Sequence, residues 1–411
     1  MERAATRIPL IRTCSSLVIR CFRGVEHFAD WVTGAAGPVF VFLCWVLIGS
    51  GGFFFFDVIV RDLSLTSLFF LSPFLVFVPL NLYTQYYLVT HVPPGFPSPR
   101  ASGADKDLKW LITDPKSIWS AERWGFRKRR PLTAGITELR AGDRMGETGR
   151  RVRRCRKCDG PKPERTHHCS VCKRCVLLMD HHCPWINACV GLYNQRHFVL
   201  FMIWLSIACW LTAVLGYSRF IETFSYHPEW IAWTPTVAFI ILWVLAVAIG
   251  FAVPILCGWH LYMVSNGETS IESHDNAYLE GRATAEGLIY LNPYDLGKRR
   301  NLQLFFNLGP SGYSPLTLLF PFLIPPTSNG WSFLRRPLPS RSPVSLKLHA
   351  PELGEGLIAR TNGQDFGPDI NGNAETECRA SHAEDGHGGY VMGDDGSLTD
   401  DEEGGGGWME Y

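Results

Sequence analysis

The chain has 411 residues, 39 Lys and Arg against 38 Asp and Glu, and a formal net charge of +1. Charge this balanced names no partner, and 46 % apolar residues is ordinary for a soluble protein. The apolar residues are gathered into long blocks, however, which excludes a simple soluble domain and makes nucleic acid the wrong partner for the basic runs between them.

Residues 1–30 carry charges throughout and lack an apolar core of the right length, so no cleavable signal peptide is expected. Four long stretches then hold no Asp, Glu, Lys or Arg: residues 31–56, 63–90, 198–218 and 230–259. Each reaches the roughly 20 apolar residues a helix needs to cross a bilayer. Ionisable residues inside the spans would suggest a transporter or channel, and these four stretches hold none of the four charged types.

Basic residues orient the spans. Arg3, Arg7, Arg12, Arg20 and Arg23 precede the first. The loop between the second and third holds Arg127-Lys128-Arg129-Arg130 and the basic run 150–157, and Lys298-Arg299-Arg300 follow the fourth. The short loops 57–62 and 219–229 hold one Arg each. The positive-inside rule puts both termini and the middle loop in the cytosol. The second span ends at "THVPPGFPSP" (90–99), where prolines and a glycine break the helix. Residues 100–154 read as a partly ordered connector. The apolar run 316–324 is too short to span and is expected at the interface or packed on the bundle. The Gly- and acid-rich tail cannot bury enough apolar surface to offset ordering entropy. No internal repeat stands out.

Seven of the 13 cysteines lie between Cys155 and Cys189, in "CRKCDGPKPERTHHCSVCKRCVLLMDHHCPWINACVG" (155–191). In a reducing compartment, Cys and His clustered this way point to zinc rather than disulfides. Two Cys-x-x-Cys pairs, Cys155/Cys158 and Cys169/Cys172, are followed by Cys175. Two closed tetrahedral sites need eight ligands. If Cys183 is set aside, six cysteines remain, and two of His167, His168, His181 and His182 complete the sets. The count does not decide which cysteine is spare. A free thiolate beside a His base is a strong nucleophile, whereas one inside a closed zinc site is a poor one. In "MDHHCPW" (179–185) one His can bind metal while the other serves Cys183, with Asp180 orienting that ring.

These residues resemble the DHHC-type protein S-acyltransferases (palmitoyltransferases) over roughly residues 30–310. "VPPGFP" looks like the family's Asp-Pro-Gly motif with Pro93 in place of Asp, and "TSIE" (269–272) like its Thr-Thr-x-Glu motif with Ser270 for the second Thr. "NLQLFF" (301–306) and Tyr313 look like its C-terminal segment. The resemblance implies that Cys155, Cys158, His168 and Cys175 hold one zinc and Cys169, Cys172, His182 and Cys189 the other. It also implies that Asp180, His181 and Cys183 form the catalytic group.

The expected fold is an all-α polytopic membrane protein of four transmembrane helices, with a small cytosolic zinc-binding cysteine-rich domain between helices two and three. The expected divisions are a cytosolic N-terminus (1–30), helices one and two (31–90), a cytosolic connector (91–154), the zinc domain (155–197), helices three and four (198–260), a cytosolic C-terminal segment (261–326) and a disordered tail (327–411). The implied activity is transfer of a fatty acyl group, palmitoyl above all, from acyl-CoA through acyl-Cys183 to cysteines of cytosolic or membrane-associated proteins. The alternative is a non-catalytic membrane-anchored zinc-binding interaction module. Two structural Zn²⁺ and palmitoyl-CoA are the implied cofactor and donor. Trp185, Phe198 and Phe201 are candidates to line the acyl pocket. Lys162, with Arg165, Lys173 and Arg174, is a candidate to meet CoA phosphates. The expected location is the endomembrane system (ER, Golgi, vacuole or plasma membrane).

Overall fold

The computed structural model describes residues 7–97, 120–126, 153–225, 230–285, 288–310, 312–336, 347–348 and 357–360. Four of its helices are long and apolar enough to cross a membrane. Helix α1 (Arg7–Phe54) contains the first apolar run, α2 (Leu65–His91) the second, α3 (Gln195–Leu215) the third and α5 (Thr236–Ser265) the fourth. The short α4 (Tyr217–Glu222) lies in the loop between α3 and α5. Phe69, Phe70, Val76 and Ile255 on these helices are largely exposed. An apolar exterior of this extent is what a helix bundle presents to lipid.

Two helix boundaries differ from the sequence expectation. Helix α1 already runs from Arg7, well ahead of the apolar run near residue 31; Pro9 falls in its first turn, where a missing N–H is tolerated. Helix α5 begins at Thr236, since Pro235 holds the extended conformation of an N-cap. Residues 230–235 instead form a loop that closes the far end of the bundle. There α1 passes into one π turn, Phe55–Ile59, which carries Asp57. The Asp57 carboxylate accepts hydrogen bonds from the Thr234 amide (2.8 Å) and hydroxyl (2.7 Å) and pairs with Arg61 at 2.9 Å.

On the other side, three small antiparallel hairpins follow one another: β1 (Arg153–Arg154) with β2 (Pro161–Lys162), β3 (His167–Cys169) with β4 (Arg174–Val176), and β5 (His181–Cys183) with β6 (Ala188–Val190). The stretch after α2 docks them. Gly95 (φ 103°) accepts from the Leu177 amide, and Pro94 from the Tyr193 amide. A Cβ on Gly95 would lie 2.6 Å from the Tyr193 ring, so both φ and close approach require glycine there. These two hydrogen bonds use backbone groups and need no Asp side chain at position 93, while Phe96 packs on Cys169, Val176, Met179 and Cys189.

Beyond α5, Thr269 and Glu272 form a capping box at the start of α6 (Ser270–Ala285): the Glu272 amide donates to Thr269 Oγ1 (3.3 Å) and the Thr269 amide to Glu272 (2.9 Å). Helix α7 (Lys298–Phe306) follows. The run 316–324 packs on the bundle as expected: Phe320 meets Phe77, and Leu323 joins Leu88 and Val92.

The tail needs correction. Residues 327–336 are not disordered but strap the Cys- and His-rich domain. The Phe333 amide donates to Glu164 (2.8 Å), Arg335 pairs with Glu164, and Arg336 pairs with Asp295. Further on, β8 (Lys347–Leu348) and β9 (Leu357–Arg360) form a three-stranded sheet with β7 (Leu288–Leu291), in the order β7-β9-β8. Most of the connector and of the remaining tail lies outside the described residues.

Candidate active site and metal centres

Side chains of successive strand residues point to opposite faces. In β3, His168 therefore faces away from its neighbour Cys169, and the hairpin register sets it opposite Cys175. In β5, His182 faces away from His181 and Cys183, and lies opposite Cys189. Alternation thus sorts the ligands into two groups whose donor atoms lie within 4.8 Å of one another: Cys155, Cys158, His168 and Cys175, and Cys169, Cys172, His182 and Cys189. In the first, His168 Nδ1 lies 3.6, 3.1 and 4.0 Å from the sulfurs of Cys155, Cys158 and Cys175. In the second, His182 Nδ1 lies 3.7, 3.3 and 3.7 Å from those of Cys169, Cys172 and Cys189. A tetrahedron of Zn–S and Zn–N bonds has edges of roughly 3.5–3.8 Å, so both donor sets fit zinc. The cysteines described here are all free thiols.

An internal repeat does exist, contrary to the sequence expectation. Both ligand sets read Cys-x2-Cys-x9-His-x6-Cys, offset by 14 residues. The backbone repeats with them. Asp159, Lys173 and Asn187, four residues past Cys155, Cys169 and Cys183, have φ of 49°, 54° and 49°. These are three copies of one tight knuckle. In the third, Cys183 stands at the first-cysteine position, but Ile186, 2 % exposed, replaces the second. Arg196 and Ile203 stand where that set's His and last Cys would be. The third knuckle has no ligand partners, which leaves Cys183 the spare cysteine.

Cys183 and His181 lie on one face of β5. His181 Nδ1 is 2.6 Å from Asp180 Oδ2, and Cys183 is near enough to favour the ring's cation as well. Burial disfavours the imidazolium, but Asp180 and Cys183 outweigh it and hold the His181 pKa up at about 9. Burial likewise works against the Asp180 carboxylate, yet His181, His260 and the Ser270 amide bring its pKa below the usual range. Ser270 clasps this residue twice: its amide donates to Asp180 Oδ1 (2.7 Å) and its hydroxyl to the Asp180 carbonyl (2.6 Å).

Helices fix the knuckle from the membrane side. The Tyr86 hydroxyl, fully buried, donates to the Trp185 carbonyl at 2.9 Å. Helix α1 passes so close that a Cβ on Gly37 would lie 2.0 Å from Asn187. Trp185 stays half-exposed with its ring on Phe40. Phe198 meets His181 edge-on, and Phe201 packs on Tyr86. Cys183 opens onto an apolar cluster containing Val78, Leu82, Phe201 and Trp204, with Ala208 packed against it.

Of the four basic candidates, Arg165 and Arg174 are engaged within the protein, and Lys173 is exposed. Lys162 is buried, 3 % exposed. Arg165 forks onto Glu272 (2.7 and 2.6 Å) and donates to the Gly267 carbonyl (2.9 Å). It thereby ties the Cys- and His-rich domain to the capping box that presents Ser270. Arg174 covers the Phe96 ring.

Sequence reasoning missed His260, the Arg165–Glu272 tie and Tyr86. His260 stands one residue past the fourth apolar run, and an ionisable group at the end of a span is a signal in its own right.

Residues 150–277 match the family model described as DHHC palmitoyltransferase. Among curated proteins, the chain is similar to Palmitoyltransferase ZDHHC16A of Danio rerio, 32 % identical over 39 % of this chain and 56 % of the relative. It is also similar to Probable protein S-acyltransferase 16 of Arabidopsis thaliana, 40 % identical over 39 % of this chain and 55 % of the relative. Palmitoyltransferase pfa3 of Aspergillus fumigatus is 46 % identical over 29 % of this chain and 22 % of the relative. The chain thus spans about half, or less, of the length of these relatives.

Proposed function

We propose that this protein is a membrane-embedded protein S-acyltransferase that carries fatty acyl groups, palmitoyl above all, from acyl-CoA to protein cysteines. The observation that carries the reading is a free Cys183 outside both metal-ligand sets, on the same strand face as an imidazole held by Asp180. A module that only recruited partners would have no use for this third knuckle.

The reaction has two steps. The Cys183 proton passes to His181, and the thiolate attacks the acyl-CoA thioester. The C–S bond to CoA breaks, and the CoA thiolate takes the proton from His181. An acceptor cysteine then gives its proton to His181 and attacks acyl-Cys183. The Cys183–acyl bond breaks and the thiol is restored. The acyl chain lies along the apolar cluster below Cys183, bounded by Phe198, Phe201 and Trp185, where each buried CH₂ contributes about 0.8 kcal/mol. The two Cys₃His sets would each hold a zinc ion, which would brace the hairpins and so the knuckle and supply folding energy.

The test is direct. Purified protein incubated with labelled palmitoyl-CoA should retain label after denaturation, and neutral hydroxylamine should release it. Label that never becomes covalent would count against the reading.

Both termini and the zinc domain face the cytosol in this proposal, on a membrane of the endomembrane system, with donor and acceptors on that side. In sealed, right-side-out microsomes, a tag at residues 110–150 should be open to added protease. Protection of that tag would reverse the orientation.

Chain-length choice follows from α3. Ala208 lies about three and a half turns below the start of the helix and packs against the cluster that holds Cys183. Ala208→Phe should shift preference toward shorter acyl-CoA in competition assays. An unchanged profile in a folded variant would mean that Ala208 only lets two helices approach.

A further inference from the structure

His260 lies in α5, near its cytosolic end in the proposed orientation. Its ring is buried, with Phe198 and Phe305 packed edge-on against it at 5.8 and 6.3 Å. Nδ1 lies 3.6 Å from Asp180 Oδ2, and Nε2 is buried with no hydrogen-bond partner. Among the described residues, the Asp180 carboxylate is the group that faces a ring nitrogen of His260, and the His181 imidazole, on the same carboxylate, is near enough to act on it electrostatically. Burying an imidazole is costly unless it is compensated, and only Asp180 is placed to compensate it. The same Oδ2 receives His181, while Oδ1 receives the Ser270 amide.

We propose that His260 is a positioning residue for the acyl-transfer centre. With its proton on Nδ1, it holds Asp180 Oδ2 from α5 and so fixes the carboxylate that aims His181 at Cys183. The His260 proton stays in place, and no bond is made or broken there. Contacts of this kind are often long in the substrate-free state and tighten when substrate binds. The effect is to couple the fourth span to the catalytic group through one carboxylate. The proposal rests on the acyltransferase reading above.

Side-chain replacements separate this role from simple space filling. Asparagine carries an amide nitrogen near the Nδ1 position, glutamine carries one near Nε2, and leucine carries none. The full chain with His260→Asn, His260→Gln or His260→Leu is purified, its zinc content is measured, and single-turnover acylation by labelled palmitoyl-CoA is followed across donor concentration. The maximal rate should fall on the order of 10-fold for Leu and Gln and stay within about 3-fold of wild type for Asn. The half-saturating donor concentration should not move, since the ring meets no donor atom. If the leucine variant does not fold, the Asn–Gln contrast carries the test. A wild-type rate in Leu or Gln, or an Asn variant as slow as Gln with zinc intact, overturns the positioning role. Failure of the wild type itself to form an acyl-enzyme overturns the acyltransferase reading instead, and this proposal with it.

Discussion

A Cys172→Ala protein is expected to lose zinc and fold together, whereas Cys183→Ala should keep its zinc and lose all acyl-enzyme. The two cysteines lie 11 positions apart in one small domain, so the contrast tests position rather than chemistry. Cys172 Sγ stands 3.3 Å from His182 Nδ1 and 3.6 Å from Cys189 Sγ, inside a closed donor set. Removing it leaves three ligands, and structural zinc contributes about 10–16 kcal/mol to folding in small zinc domains, more than such a domain's net stability. Cys183 belongs to neither set, and its removal takes only the nucleophile. Metal analysis should read about two zinc ions per chain for wild type and Cys183→Ala, and fewer for Cys172→Ala. Zinc loss in Cys183→Ala would make that cysteine a ligand and remove the mechanism.

The second large effect separates two adjacent histidines. His182 faces the metal set and His181 the nucleophile, because they alternate along β5. His181→Ala should keep its zinc and slow acyl-enzyme formation by about 10² to 10⁴, the usual worth of a general base. Raising the pH should recover part of this, since a cysteine thiol ionises by itself near 8.5. Wild type should gain far less from high pH, because His181, held by Asp180, takes the Cys183 proton itself. The linked stability has the opposite sign. Folding raises this pKa from 6.5 to about 9, so the ring's contribution to folding is full below about 6.5 and lost as pH rises through about 9. Asp180→Asn should show a milder form of the His181→Ala defect. His182→Ala should lose zinc and recover nothing at high pH. Zinc loss in His181→Ala with zinc kept in His182→Ala would mean that the roles are exchanged.

The four spans were legible because bilayer thickness imposes a length that hydropathy records directly. Their ends were not, since α1 starts well before its apolar run and Pro235 delays α5. Ligand types were legible from clustering, but their partition was not legible from counting. Yet the information was in the sequence: the 14-residue offset pairs every ligand and leaves Cys183 without a set. Asp180 and His181 were identified through "DHHC", while Ser270, His260 and Arg165 reach the same centre from residues 15 to 90 positions away. Only the folded chain brings those together, and the strap 327–336 was hidden for the same reason. Its few anchors, Phe333, Arg335 and Arg336, find partners that its composition does not announce.

The most direct measurement is to locate the acyl group. The wild-type protein is mixed with palmitoyl-CoA for one turnover, quenched in acid, digested and read by mass spectrometry, with and without hydroxylamine. The account predicts one stoichiometric palmitoyl thioester on the peptide that carries Cys183, gone after hydroxylamine and absent from Cys183→Ala. A stoichiometric thioester on any other cysteine, or one that persists in Cys183→Ala, would contradict it.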